Sequence, residues 1–141
     1  MATRQDVVNE ARSWVGTKFG HQGRIKGEWV DCAGVIAGVA KKTGLTDFDV
    51  IDYGPLPVPP HMEKILDSVF DRVPAGQEKP GDVFWMRDPH EGGKPRHCGI
   101  LSERGTIIHA DNKFGFCSEH RLDDRHRGAI VRWYRFRGIE D

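Results

Sequence analysis

In the first third of the chain apolar residues return every three or four positions; after residue 80 they return every two. Thr3-Arg-Gln-Asp6 sets Thr3 as an N-cap with an acid three positions on, and Val7, Val8, Ala11, Trp14 and Val15 follow on one face until Gly16. That pattern predicts a helix over 4–15. Asp31 caps a second helix over 32–43, with Cys32, Val35, Ile36, Val39 and Ala40 on one face and Lys41, Lys42 and Gly44 at its end. Its small residues, Ala33, Gly34, Ala37 and Gly38, predict close packing on another element. Each glycine costs about 1 kcal/mol of helix propensity, which tertiary contact must offset. Pro59-Pro60 opens a third helix with the stripe Met62, Ile65, Leu66, Val69 and Phe70, closed by Pro74.

The stretches 16–29 and 46–61 are rich in Gly or Pro and lack periodicity, so both are expected as loops. A strand follows over 83–86, then a loop over 87–96. Strands over 97–102 and 106–110 are joined by Glu103-Arg104-Gly105, and a last strand lies at about 129–136. Helices first and an antiparallel sheet afterwards make an α+β arrangement. No repeat or boundary divides the 141 residues, so one domain over 1–141 is expected.

Composition narrows the function. Lys plus Arg and Asp plus Glu are 21 each, so the net charge is zero, and neither nucleic acid nor an anionic membrane is an expected partner. Three cysteines cannot all pair, and the polar start has no apolar signal region. No apolar run approaches the roughly 18 residues of a transmembrane helix. The expectation is a protein made in the cytoplasm without a signal peptide.

The hairpin carries the first chemical signal. A three-residue loop with Gly105 left-handed pairs Ser102 with Thr106 and Gly99 with His109. His97 shares a face with Gly99, so His97 and His109 become a diagonal pair on one side, about 7–8 Å apart at the backbone. A two-residue turn would shift the register and separate them. Cys32 meanwhile opens a helix, where unpaired backbone N–H groups and the positive dipole end stabilise a thiolate. A nucleophile, a base and an orienting group are the parts of covalent acyl transfer.

Several segments together resemble one family. Trp29-Val-Asp-Cys32-Ala-Gly-Val, Pro80-Gly-Asp-Val-Phe-Trp, Arg96-His97-Cys-Gly-Ile-Leu and Thr106-Ile-Ile-His109-Ala look like the NlpC/P60 cysteine peptidases of cell walls. Gly16-Thr17-Lys-Phe19-Gly-His21-Gln22-Gly, Glu119-His-Arg-Leu122 and Trp133-Tyr-Arg-Phe136 are similar to the branch found in phage tails and gene-transfer agents. The resemblance runs from about residue 11 to 137. It implies a papain-like fold, with N-terminal helices packed on a C-terminal antiparallel sheet. It also implies hydrolysis of peptidoglycan stem peptides between γ-linked D-Glu and a diamino acid. By motif position Cys32 is the nucleophile, His97 the base and later acid, and His109 the orienting residue; no metal or cofactor is implied. Other proteins of a phage-like particle are the further partners it implies. Many members carry a tyrosine where this chain has Phe19, which keeps the ring and loses the hydroxyl. His21 and Gln22 are candidate substitute donors near the substrate. The Cys32 backbone N–H is the expected oxyanion donor.

Plainer readings apply to the remaining residues. Asp31 reads as an N-cap before a catalytic acid. Cys98 alternates away from His97 into the core, and Cys117 reads as a loop thiol. The spacing Cys117-x-x-His120, with His97, Cys98, His109 and His126 elsewhere, admits zinc but lacks a second tight ligand pair. Three functions fit the sequence: a peptidoglycan endopeptidase, a weakly active or inactive structural or binding module of a phage tail tip, and a thiol amidase or acyltransferase on another substrate.

Overall fold

The computed structural model describes residues 2–46, 49 and 62–141. Helix α1 (Arg4–Arg12) starts on the expected capping box: the Asp6 N–H donates to Thr3 Oγ1 at 3.1 Å and the Thr3 N–H to Asp6 Oδ2 at 2.9 Å. The helix ends three residues earlier than expected. After a turn through Ser13, the Gly16 N–H donates to the Cys117 carbonyl at 2.8 Å, so the chain leaves the helix to bond the sheet. Trp14 stays buried. The expected loop over 16–29 also contains an antiparallel two-stranded ribbon, β1 (Arg24–Ile25) and β2 (Trp29–Val30). Helix α2 (Cys32–Thr43) has the predicted bounds, the predicted Asp31 cap and a left-handed Gly44 at its end.

The glycines of α2 are contact points. A Cβ on Gly38 would sit 2.3 Å from the Trp14 ring in the turn after α1, and one on Gly34 would sit 2.4 Å from the Gly23 carbonyl oxygen. Only a residue without a side chain lets α1 and the preceding loop approach this closely.

Helix α3 (Met62–Val69) is shorter than expected, because strand β3 (Phe70–Val73) takes over its last predicted turn. Phe70 and Val73 are buried while Asp71 and Arg72 are exposed, and Phe70 pairs with Phe136, their rings 4.9 Å apart. Ladder pairing outweighed a helical stripe that was only two turns long. The prolines assigned to the helix start lie outside the described residues.

The main sheet is antiparallel, in the order β3-β8-β4-β5-β6-β7, built from β4 (Val83–Asp88), β5 (Gly92–Leu101), β6 (Thr106–Asp111), β7 (Phe116–Arg121) and β8 (Ile130–Phe136). The expected loop over 87–96 is mostly strand. Only residues 89–91 turn, with Asp88 accepting from the N–H groups of His90 and Glu91. Two further elements had no counterpart in the periodicity: β7 and the short helix α4 (Asp124–Ala129), capped by Asp123. Cys117 therefore lies buried on a strand rather than in a loop.

The sheet separates two clusters. Val83, Trp85, Cys98, Ile100, Ile108, Ala110 and Cys117 pack with α1 and α2. Phe84, Met86, Leu101, Ile107, Leu122, Ala129 and Trp133 form a second cluster on the alternate positions. This mixed helix and antiparallel-sheet architecture is the α+β class expected from the element order.

Candidate active site

The β5–β6 hairpin has the register that the sequence required. Ile100 pairs with Ile108 and Leu101 with Ile107, the Ser102 N–H donates to the Thr106 carbonyl, and Gly105 has φ +72°. His97 and His109 consequently sit on one face, and their rings meet: His97 Nε2 lies 2.6 Å from His109 Nδ1. Cys32, in the first turn of α2, shares a cleft with His97, and two successive β5 residues, the Cys98 thiol and the His97 imidazole, are its main electrostatic partners. Because His97 Nε2 is taken by His109, Nδ1 is the nitrogen left for Cys32.

Electrostatics favour a charged pair. The Cys98 thiol donating to it, and then His97, hold the Cys32 thiol below the ordinary cysteine range, against its burial and the charge of Asp31. Burial alone would lower the His97 pKa. The hydrogen bond and charge of Cys32 outweigh that, helped by Asp111 and Asp88, so His97 titrates above the usual imidazole value. Cys98 is displaced upward by the same contact and by burial. Of the two neighbouring thiols Cys32 is the anion, since it alone has both the imidazole and the helix N-terminus beside it. His109 is fully buried, and its pKa is pushed well below the ordinary value by desolvation and by the nearby histidines.

Cys32 and His97 line a cleft of about 250 Å³ whose walls include Phe19, Asp88, Arg96, Asp111 and Lys113. Arg96 and Lys113 both reach Asp88, at 3.4 and 2.8 Å. The Phe19 ring is in the wall; His21 and Gln22 are exposed on the loop and do not line the cleft. Asp31 is engaged as a cap and a strut, accepting from the Gly34 N–H, the Gln22 N–H and Arg24.

Metal geometry is limited. His97, His109 and Asp111 place ligand atoms within 4.8 Å of one another. Here, however, the two imidazoles share a hydrogen bond at 2.6 Å, shorter than the roughly 3.3 Å between nitrogens on one tetrahedral zinc. Cys117 pairs with Ala110 and His120 with Ile107, which puts the two on opposite faces of β7 and breaks up the Cys117-x-x-His120 pair.

Sequence reasoning missed two neighbours. Cys98 is a core residue as expected, yet it also acts on the Cys32 thiol; its place directly after His97 was the available signal. His120, weighed only as a zinc ligand, lies 2.7 Å from His109.

No protein-family model matches the sequence, and no curated protein is similar enough to match. Solved structures do. The chain has the NlpC/P60 fold. It is similar to the NlpC/P60 domain of the peptidoglycan hydrolase SagA, with 20% identity over 94% of this chain and 98% of that one, at a TM-score of 0.66. It also resembles NlpC2 from Trichomonas vaginalis, with 14% identity, a TM-score of 0.72, and coverage of 96% of this chain but 47% of that one. A third is RipD from Mycobacterium tuberculosis, a non-catalytic NlpC/P60 domain protein adapted to peptidoglycan binding, with 12% identity over 96% and 97% of the chains and a TM-score of 0.62.

Proposed function

We propose that the protein is a cysteine endopeptidase of peptidoglycan. The observation that carries this reading is the Cys32–His97–His109 line, set at a helix N-terminus inside an NlpC/P60 fold. The Cys32 thiolate attacks the peptide carbonyl, and its electrons move to an oxygen that the Cys32 backbone N–H stabilises. His97, carrying the proton at Nδ1, gives it to the leaving amine as the C–N bond breaks. Water then enters; His97 takes its proton, hydroxide attacks the thioester, and the thiolate leaves. His109 holds the ring throughout.

The bond we assign is the one between γ-linked D-Glu and a diamino acid. A stem peptide carries both carboxylates and an amine there, and the cleft presents both signs through Arg96, Lys113, Asp88 and Asp111. The segments around Phe19 and His21 support action as part of a phage tail or gene-transfer particle. A second reading is a binding module without turnover, favoured by the like fold of the non-catalytic RipD and by the absence of a hydroxyl at Phe19.

Mass spectrometry of diaminopimelate-containing peptidoglycan, after incubation with wild type and Cys32→Ala, separates them. Fragments cut after γ-D-Glu with wild type alone establish the peptidase. Binding to the wall without fragments from either protein establishes the module.

A further inference from the structure

Three histidines lie diagonally across three neighbouring strands. Continued beyond its last pair, Ile100–Ile108, the β5–β6 register sets His109 opposite Gly99 and His97 opposite Asp111, while His109 pairs with Ser118 and His120 with Ile107 across β6 and β7. Each ring is one diagonal step from the next. His97 Nε2 meets His109 Nδ1 at 2.6 Å, His109 Nε2 meets His120 Nε2 at 2.7 Å, and His120 Nδ1 meets the Arg121 carbonyl oxygen at 3.0 Å. The rings stand edge to face at centroid distances of 4.9 and 4.8 Å.

A carbonyl oxygen can only accept, and that fixes the chain of protons. His120 must carry its hydrogen on Nδ1, which leaves Nε2 of the neutral ring as an acceptor. His109 must then donate from Nε2 and accept at Nδ1. His97 in turn donates from Nε2, which in the neutral pair leaves its Nδ1 lone pair for the Cys32 proton; once that proton has crossed, the ring carries both. If His109 instead carried its hydrogen on Nδ1, His97 would have to hold its own on the nitrogen facing Cys32. It could not then take a proton from the thiol. A single main-chain carbonyl, two residues away from the proposed triad along the relay, sets the proton positions at the nucleophile.

We propose that His120 is a positioning residue, completing a relay from the Arg121 carbonyl through His120 and His109 that holds His97 in the tautomer able to serve Cys32. The role rests on the Cys32–His97 pair of the proposed function and adds a member to it. His120 is itself held from α4, whose His126 ring stacks edge to face at 4.8 Å and is anchored through Nδ1 to Asp123 Oδ1 at 2.8 Å. Phe114 covers it from the β6–β7 turn, at 5.6 Å. On the preceding position of β7, Glu119 is clamped by Arg12 Nε and Nη2, each at 2.9 Å, and by the Thr106 hydroxyl. The strand that carries His120 is thereby fixed to α1.

Two readouts test the relay, neither of which needs peptidoglycan. Nitrogen-15 NMR of histidine-labelled protein reports the tautomer of His109, and iodoacetamide alkylation of Cys32 at pH 6, read by peptide mass, reports thiolate formation. The expected result is a His109 ring protonated at Nε2 in the wild type. In His120→Phe that tautomer mixes and alkylation slows at least fivefold. In His120→Gln, whose side-chain oxygen can still accept from His109, at least half the wild-type rate returns. A wild-type His109 protonated at Nδ1 overturns the relay. So does a His120→Phe protein with the wild-type tautomer and rate, its fold checked by circular dichroism. His97→Ala serves as the reference. If it alkylates like wild type, the Cys32–His97 pairing fails, while the His109 tautomer still decides the relay.

Discussion

Gly99 faces His109 across the β5–β6 ladder with space for a hydrogen atom and nothing larger. A Cβ there would lie 2.6 Å from the Ile108 carbonyl oxygen and the Phe84 ring, and 2.7 Å from His109 Cβ. Its φ is not in the left-handed region, so the glycine is required for approach rather than for backbone conformation. The His109 side chain departs from this crowded point, and its ring meets His97 at 2.6 Å.

Gly99→Ala should therefore spread the two strands and lengthen the His97–His109 contact. Overpacking of this kind costs about 1–3 kcal/mol. Thermal melts should show the loss, and Cys32 alkylation in the still-folded protein should slow severalfold. A variant with wild-type stability and reactivity would contradict the packing described here.

Of the three cysteines, Cys32 alone should react with iodoacetamide near pH 6. Burial pushes the Cys117 thiol up to about 12, and Cys98 is both fully buried and raised by its contact with Cys32. Peptide mapping should find one labelled site, absent from Cys32→Ala. That variant should melt close to wild type, because alanine suits the first turn of α2, and should have no hydrolytic activity.

The pH dependence of kcat/KM should be a bell with signs set by the pair. Turnover rises with pH as Cys32 ionises, and the lowered thiol pKa places that limb below the ordinary cysteine range. It falls as His97 loses the proton needed by the leaving amine, on a limb above the ordinary imidazole value. His109→Ala should pull the basic limb downward and leave residual activity. An unchanged basic limb in that variant would sink the assigned role of His109.

Glu119 offers a test of stability. Its hydrogen bonds to Arg12 lead, with Thr106 adding, in lowering its pKa to about 2. A folded-state pKa below the unfolded value contributes stability above the ordinary carboxylate range, and the contribution is lost as pH falls toward 2. Glu119→Gln should cost about 1–2 kcal/mol at pH 7, with the gap to wild type closing in acid. Denaturant melts at pH 7 and pH 3 measure both.

Much of the site was legible because local rules governed it. The Asp31 cap, the bounds of α2 and the three-residue hairpin each follow from a few adjacent residues, and together they place Cys32, His97 and His109. The misses involve competition between distant segments. The helical stripe ending at Phe70 reads equally as the start of β3, and only pairing with Phe136 decides it. Strand β7 has no clean alternation, since Ser118, Glu119 and His120 are all polar. It is stabilised by its ladder with β6 and by Arg12, which lies 107 residues from Glu119. His120 was invisible as a relay member for the same reason: without β7 there is no third strand for the diagonal to cross.

The hairpin imposes a parity on the chain. In β5 and β6 the odd positions, 97, 99, 101, 107 and 109, carry the histidine face, while the even ones, 98, 100, 108 and 110, carry the packing against α2. Adding or removing one residue in the turn at 103–105 would exchange the two sets on β6 at a stroke. His109 would be driven into the apolar layer and Ile108 turned out toward the relay. A length change there behaves like a shift of reading frame, in which chemistry and core are lost together. Drift in the turn is therefore screened by folding before it is ever screened by activity.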